Sequence, residues 1–144
     1  MPNESVGQYL GREVCVLTSS ALFSNLSPGA LSHSAVMIWL RSSRDLMEFR
    51  SHVPELVKAL PLVLFVAGRR AADAFDLVLG CLDTDDPLPQ ILTKSSRDTL
   101  GECVEDLLQG TWPSEDRFDD WRTYLVAAGR EELDHVRKAI AEHL

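Results

Sequence analysis

The chain has 144 residues, of which 45% are hydrophobic, and a formal net charge of −8 at pH 7. This length and composition predict one domain, spanning residues 1–144, with enough apolar surface to form a core. The negative charge argues against general binding to nucleic acid or to anionic membranes, because both require a cationic protein surface. The longest apolar block, Leu60–Gly68, is too short to cross a membrane.

The N-terminal segment, residues 1–11, has no basic region followed by an apolar run, so we expect neither a secretory leader nor export. We expect this segment to be loosely ordered. The three cysteines, Cys15, Cys81 and Cys103, each lie within an apolar pattern and form no C-x-x-C pair. They are typical of reduced, buried thiols, and the sequence therefore predicts a cytoplasmic protein.

Five apolar runs predict strands that are covered on both faces, because each run is largely continuous. They are Val14–Leu17, Ala35–Leu40, Leu62–Ala67, Leu88–Leu92 and Tyr124–Ala128. Trp39, in the second run, is expected in the core. Amphipathic patterns predict helices that begin close to Ser43, Arg70, Ser96 and Arg130. This alternation predicts an α/β fold, namely a single three-layer, Rossmann-like or flavodoxin-like domain with a mainly parallel sheet of about five strands.

The same four residues, Ser-Ser-Arg-Asp, occur twice, at Ser42–Asp45 and at Ser95–Asp98. Each copy lies where a predicted strand leads into a predicted helix. Such connections share the carboxyl edge of a parallel sheet, where open α/β folds bind ligands, so we expect both copies to line one crevice. The serine and aspartate of each copy also fit a capping box, which requires no ligand.

Cations are concentrated after the predicted strands, although the protein is acidic. Seven of its 14 lysine and arginine residues lie there. Helix N-termini at the same edge add N–H donors and partial positive charge, and the pattern favours a small anion that carries phosphate or carboxylate groups. The candidate residues are Arg41, Ser43, Arg44, Arg69, Arg70, Lys94, Ser96, Arg97 and Arg130. The alternative is that these side chains only cap helices and pair with nearby carboxylates.

Acidic residues precede the last two predicted strands, at the opposite edge of the predicted sheet. Asp83, Asp85 and Asp86 form one group. The other group lies beside a tryptophan, and together they form a candidate surface for a basic protein partner, as in immunity proteins and antitoxins. Its residues are Trp112, Glu115, Asp116, Asp119 and Asp120. This partner-binding function is the alternative to a small-anion site.

No motif in the sequence identifies a reaction. The glycine-rich dinucleotide motif, the P-loop and the G-x-S-x-G nucleophile motif do not occur. The histidines lack the spacing of zinc ligands, and we expect no catalytic residue, no metal and no cofactor. The leading hypothesis is a non-enzymatic binding or regulatory module. An enzyme that acts on a phosphorylated metabolite is a third hypothesis.

Four stretches between about residues 35 and 128 resemble a family of small bacterial α/β proteins known only as a domain of unknown function. They are AVMIWLRSSRD, PLVLFVAG, ILTKSSRDTLGECVEDLL and TYLVAAG. The resemblance implies a small α/β fold in a bacterium. It implies no activity and no catalytic residue.

Overall fold

The computed structural model describes residues 4–82 and 91–144, which fold into one sheet with helices. The strands are β1 Glu4–Tyr9, β2 Arg12–Thr18, β3 Ser34–Trp39, β4 Val63–Ala67, β5 Leu92–Ser96 and β6 Thr123–Ala128. The α-helices are α1 Ser19–Ser24, α2 Ser43–Lys58, α3 Ala71–Leu82, α4 Leu100–Gly110 and α5 Leu133–Ala141. Short 3-10 helices span Glu115–Asp120 and Arg130–Glu132. The predicted acidic group at Asp83, Asp85 and Asp86 lies outside the described residues.

The six strands lie in the order β1-β2-β6-β3-β4-β5. Strand β1 pairs antiparallel with β2, and the other neighbours are parallel. The prediction of an α/β fold with a mainly parallel sheet is confirmed, but the sheet has six strands rather than about five. The additional strand is β1, which forms within the segment that we expected to be loosely ordered.

Buried side chains form two clusters, one on each face of the sheet. Phe49 and Leu56 of α2 pack with Ile38 and Leu64, in a cluster that also includes residues of α1 and α3. The other cluster joins residues of α4 and α5 to alternate strand residues, such as Met37. This division follows from the path of the chain. Helices α2 and α3 carry the chain outward to β5, whereas α4 carries it back to β6, and right-handed crossovers place connections of opposite direction on opposite faces.

The path of the chain creates a crevice beside the carboxyl ends of β3 and β6. These strands are neighbours in the sheet. After β3 the chain turns toward α2, and after β6 it turns toward α5, which packs on the other face. Connections that diverge in this way leave space between them, and open α/β sheets bind ligands at such points.

The two Ser-Ser-Arg-Asp copies fold differently. At the first copy, α2 begins at Ser43, as predicted. At the second copy, β5 continues to Ser96 and α4 begins at Leu100, with Thr99 as its N-cap. The prediction that this helix begins close to Ser96 is wrong, because the serines complete the strand.

Candidate functional site

A groove with a volume of about 790 Å³ lies at the carboxyl edge, along the connections that follow β2, β3, β4 and β6. We call it the arginine groove. It is lined by Ser20, Arg41, Ser42, Ser43, Arg44, Asp45, Glu48, Arg69, Arg70, Gly129, Arg130, Glu131 and Glu132. It brings together six of the nine residues predicted for an anion site. These are Arg41, Ser43, Arg44, Arg69, Arg70 and Arg130.

The wall formed by the start of α2 is held by a complete capping box. The Ser42 hydroxyl accepts a hydrogen bond from the Asp45 backbone N–H at 3.2 Å. The Asp45 carboxylate in turn accepts from the backbone N–H groups of Ser42, at 3.1 Å, and Arg41, at 2.9 Å. A cap of this kind stabilises a helix by about 1 kcal/mol. The capping interpretation is therefore correct for this copy, and the cap also fixes the chain that carries Arg41 and Arg44.

Two of the groove arginines have protein partners. Arg41 forms an ion pair with Glu132, whose side chain is only 11% exposed, and this hydrogen bond and charge raise the pKa of Arg41. Arg70 donates from Nη2 to the Ser43 hydroxyl at 2.7 Å, and its Nε is buried with no partner among the described residues. These contacts tie the connections after β3, β4 and β6 to one another, so the groove has defined walls.

Three other arginine side chains in the groove, those of Arg44, Arg69 and Arg130, form no hydrogen bond or ion pair with the described part of the chain. Their guanidinium groups therefore retain their donors. The expected alternative, pairing with carboxylates in the first turns of the helices, does not occur for these three. A cation near a helix N-terminus opposes the helix dipole, at a cost of about 0.3–1 kcal/mol. An anion bound in the groove would offset this cost.

A glycine brings the connection after β4 against the connection after β3. Gly68 has a φ of 103°, and a Cβ atom there would lie 2.6 Å from the Leu40 carbonyl oxygen. This close approach lets the Arg70 backbone N–H donate to the same carbonyl at 3.2 Å. Arg69 and Arg70 consequently lie beside the start of α2. In the sequence, an apolar run is followed by a glycine and two arginines, and an ordinary turn has the same pattern. The sequence therefore does not predict this close approach.

A second groove, of about 430 Å³, adjoins the first. We call it the tryptophan groove. It is lined by Trp39, Arg41, Arg69, Arg97, Asp98, Thr99, Leu100, Glu132 and His135. Arg41, Arg69 and Glu132 line both grooves. Arg44 lines the arginine groove and Arg97 lines the tryptophan groove. The two Ser-Ser-Arg-Asp copies therefore line adjoining grooves rather than the one crevice that we had expected. Trp39, expected in the core, is partly exposed here.

The remaining two predicted residues, Lys94 and Ser96, line neither groove. Lys94 lies within β5, where its ammonium group donates to Asp106 of α4 at 2.6 Å and to the Thr111 hydroxyl at 3.2 Å. The Ser96 hydroxyl donates to Asp98 at 3.0 Å. We expected both residues in the connection after a strand. They differ from that expectation because the strand itself extends to Ser96.

The acidic surface predicted to contact a partner lies just before β6. Its residues, Trp112, Glu115, Asp116, Asp119 and Asp120, are all exposed, and the four carboxylates belong to one 3-10 helix. Trp112 is 56% exposed, and Phe118, which the sequence analysis did not include, is 39% exposed. The Arg12 guanidinium carbon lies 4.0 Å from the centre of the buried Trp121 ring and 5.0 Å from that of Phe118. These contacts hold the acidic helix against the sheet.

The three thiols are unpaired. Burial, with a hydrogen bond to Glu13, raises the pKa of the Cys15 thiol to about 12. Burial also raises the pKa of Cys81 and Cys103. A thiol with a raised pKa forms little of the reactive thiolate at neutral pH. Within residues 4–82 and 91–144, no three histidine, cysteine or carboxylate side chains form a group that would hold a metal ion.

The helices of the described segments are all too short or too polar to cross a membrane. A scan against known family models finds no match to this chain, and a search of curated proteins finds none either. The geometry and charge of the two grooves are therefore the features of the molecule that bear on its function.

Proposed function

We propose that this protein is a non-enzymatic binding or regulatory module that holds a small anionic ligand, bearing phosphate or carboxylate groups, in the arginine groove. The observation that carries this proposal is a set of three arginine side chains around one groove that pair with no residue in the described part of the chain. Arg44, Arg69 and Arg130 reach it from three different connections. Guanidinium groups bind phosphate and carboxylate through paired, charge-assisted hydrogen bonds, so these arginines suit such a ligand.

The groove has five arginines and four carboxylates, and three of the carboxylates have defined contacts. Asp45 accepts backbone hydrogen bonds at the N-terminus of α2, and Glu132 is paired with Arg41. Glu48 of α2 accepts from the hydroxyl of Ser20 of α1 at 2.9 Å. These three carboxylates thus hold structural elements. The fourth is Glu131, and the three arginines that pair with no described residue leave the groove with an excess of positive charge for a ligand.

An enzyme that acts on a phosphorylated metabolite would use the same groove. All three of its serine hydroxyls already have protein partners, because Ser20 donates to Glu48, Ser42 caps α2 and Ser43 accepts from Arg70. No cysteine lines the described groove. Binding without turnover requires no activated nucleophile. We therefore favour a binding module over an enzyme.

We further propose that the fold is a three-layer, Rossmann-like or flavodoxin-like arrangement, and the separate buried clusters on the two faces of the sheet support this. The resemblance to the bacterial family of unknown function is part of the same proposal. We also propose that the protein is cytoplasmic, and the three unpaired thiols are consistent with a reducing compartment.

Calorimetric titration with phosphate, pyrophosphate and citrate tests the binding function. The key variant combines Arg44→Gln, Arg69→Gln and Arg130→Gln. The control combines Arg50→Gln, Lys58→Gln and Lys138→Gln, which removes three exposed cations outside the groove and changes net charge equally. We expect binding to wild type and control that weakens as salt rises, because ions screen charged contacts. Failure of every anion to bind the wild-type protein would refute the proposal.

A second candidate function, binding of a basic protein partner at the acidic surface, is favoured by the 56% exposure of Trp112 beside four carboxylates. Exposed aromatic residues often anchor protein interfaces. Affinity capture from extracts of the source cell, with wild type and with Trp112→Ser, tests this function. A basic protein retained by the wild type and lost from the variant would support it, whereas identical captured proteins would count against it.

A further inference from the structure

We infer that the ligand is a phosphate ester that carries a planar apolar group, as a nucleoside phosphate does. In this binding mode the phosphate lies in the arginine groove and the planar group lies in the tryptophan groove. The inference rests on the proposed function, because it requires the arginine groove to bind the anionic end. It adds the chemistry of the other end of the ligand.

The arginine groove and the tryptophan groove are continuous. Arg41, Arg69 and Glu132 line both grooves, so the two volumes adjoin at these residues. At about 790 and 430 Å³, each volume lies within the range of pockets that hold whole organic ligands, about 300–1,000 Å³. A free phosphate ion would leave most of this space empty. An extended ligand would fill it.

Of the two grooves, the tryptophan groove alone is lined by an aromatic side chain among the described residues. Arg41, Arg69 and Arg97 give the tryptophan groove guanidinium groups as well, but it also includes the Trp39 indole and the edge of the largely buried Leu100 side chain. Asp98 and Thr99 add polar atoms at its margin. A charged region that continues into an aromatic one matches a ligand with an anionic end and a planar end. Aromatic side chains accept any nucleobase by stacking, because every base has a π-face.

The position of Trp39 in the sheet determines which of its atoms a ligand could contact. Trp39 is the last residue of β3, and its register partner on β4 is the small Ala67. Trp39 is partly exposed, and it packs against the buried cluster that includes residues of α4 and α5. Its Nε1 is buried and has no partner in the described part of the chain. A ligand in the groove would therefore contact carbon atoms of Trp39 rather than its N–H group, and such a contact favours apolar packing or stacking over a specific hydrogen bond.

Calorimetric titration with ADP, pyrophosphate and adenosine separates the two ends of the ligand. We expect ADP to bind the wild-type protein about tenfold more tightly than pyrophosphate, from base stacking on an aromatic side chain. Trp39→Leu should reduce the affinity for ADP to that for pyrophosphate and leave pyrophosphate binding unchanged. Trp112→Leu removes an exposed tryptophan outside both grooves and should change neither affinity.

A second measurement avoids any substitution at Trp39. With 5-fluorotryptophan incorporated, the fluorine resonance of Trp39 should shift on addition of ADP but not of pyrophosphate. The resonances are assigned with Trp112→Leu and Trp121→Phe. Equal affinities for ADP and pyrophosphate, or a Trp39 resonance that ADP leaves unchanged, would overturn this inference while the proposed anion site stands. If neither ligand binds, this inference fails, and the titrations with phosphate and citrate then decide whether the proposed function fails as well.

Discussion

The two copies of Ser-Ser-Arg-Asp have the same residues and different structures. In the first copy, Ser42 and Asp45 form a capping box, and α2 begins between them. In the second copy, Ser95 and Ser96 are the last residues of β5, and Thr99 caps α4. The capping potential of a short motif therefore depends on where the preceding strand ends.

The pairing of β5 with β4 explains the difference. Ser95 and Ser96 lie opposite Val66 and Ala67 in the parallel register. The Ser96 carbonyl also accepts a hydrogen bond from the Gly68 backbone N–H at 2.9 Å. These contacts extend the strand through both serines. Helix α4 is instead capped by Thr99, three residues after Ser96, and the Thr99 hydroxyl accepts from the Glu102 backbone N–H at 3.3 Å.

The difference in backbone separates the two arginines as well. Arg44 is in the first turn of α2 and lines the arginine groove, whereas Arg97 precedes the cap of α4 and lines the tryptophan groove. The repeated motif, which we expected to line one crevice, thus contributes its two copies to two adjoining grooves. Three predictions test this comparison, beginning with the largest expected effect.

Gly68→Ala should destabilise the protein by about 2–4 kcal/mol, because alanine is strained at positive φ and its Cβ would meet the Leu40 carbonyl. Gly101→Ala, in α4 just after the second copy, is the control. A Cβ there has open space, and helix propensity predicts a gain of about 0.5 kcal/mol. Chemical denaturation measures both changes. A loss below about 1 kcal/mol for Gly68→Ala would mean that the first connection tolerates displacement.

The sequence predicts the central strands well because they are covered on both faces. Val36 and Leu64, for example, lie in continuous apolar runs and are fully buried. It does not predict β1, because β1 is an edge strand with the sequence ESVGQY, in which only Val6 and Tyr9 pack against the core. An edge strand is stabilised by pairing with its neighbour, and pairing leaves little trace in local sequence.

The site is predictable to the extent that it depends on strand ends. Six of the nine predicted anion-site residues line the arginine groove because the ends of β3, β4 and β6 are read correctly. The ion pair between Arg41 and Glu132 joins residues 91 positions apart, so no local pattern could reveal it. The sequence also does not predict that Trp39 lines the tryptophan groove. Trp39 lies in a continuous apolar run, which is typical of a strand that is buried along its whole length.

Arg44→Gln should weaken pyrophosphate binding about tenfold, because it removes a charge-assisted contact in the arginine groove. Arg97→Gln should have a much smaller effect on the same ligand, since Arg97 lines only the tryptophan groove. Lys94→Gln removes an equal charge at a residue that lines neither groove, and it serves as the control. Isothermal titration compares the three variants. Equal losses for Arg44→Gln and Arg97→Gln would show that the two copies act at one site after all.

The smallest expected effects are those of the caps themselves. Ser42→Ala should destabilise the protein by about 1 kcal/mol, because it leaves the Asp45 backbone N–H without its acceptor. Thr99→Ala should cost about as much, for the same reason at Glu102. Ser95→Ala should change stability by less than about 0.5 kcal/mol, because Ser95 is exposed and its hydroxyl caps no helix in the described chain.

Urea denaturation of these three variants, with the slopes compared to confirm a two-state transition, gives the ranking. None of the three changes removes a charge, so the differences report the caps rather than the electrostatics of the grooves. Suppose that Ser95→Ala lowered the free energy of unfolding as much as Ser42→Ala, and that Thr99→Ala did not change it. Helix α4 would then begin at Ser96 in solution. Arg97 would then lie in the first turn of that helix, as Arg44 does in α2, and the two copies would be equivalent.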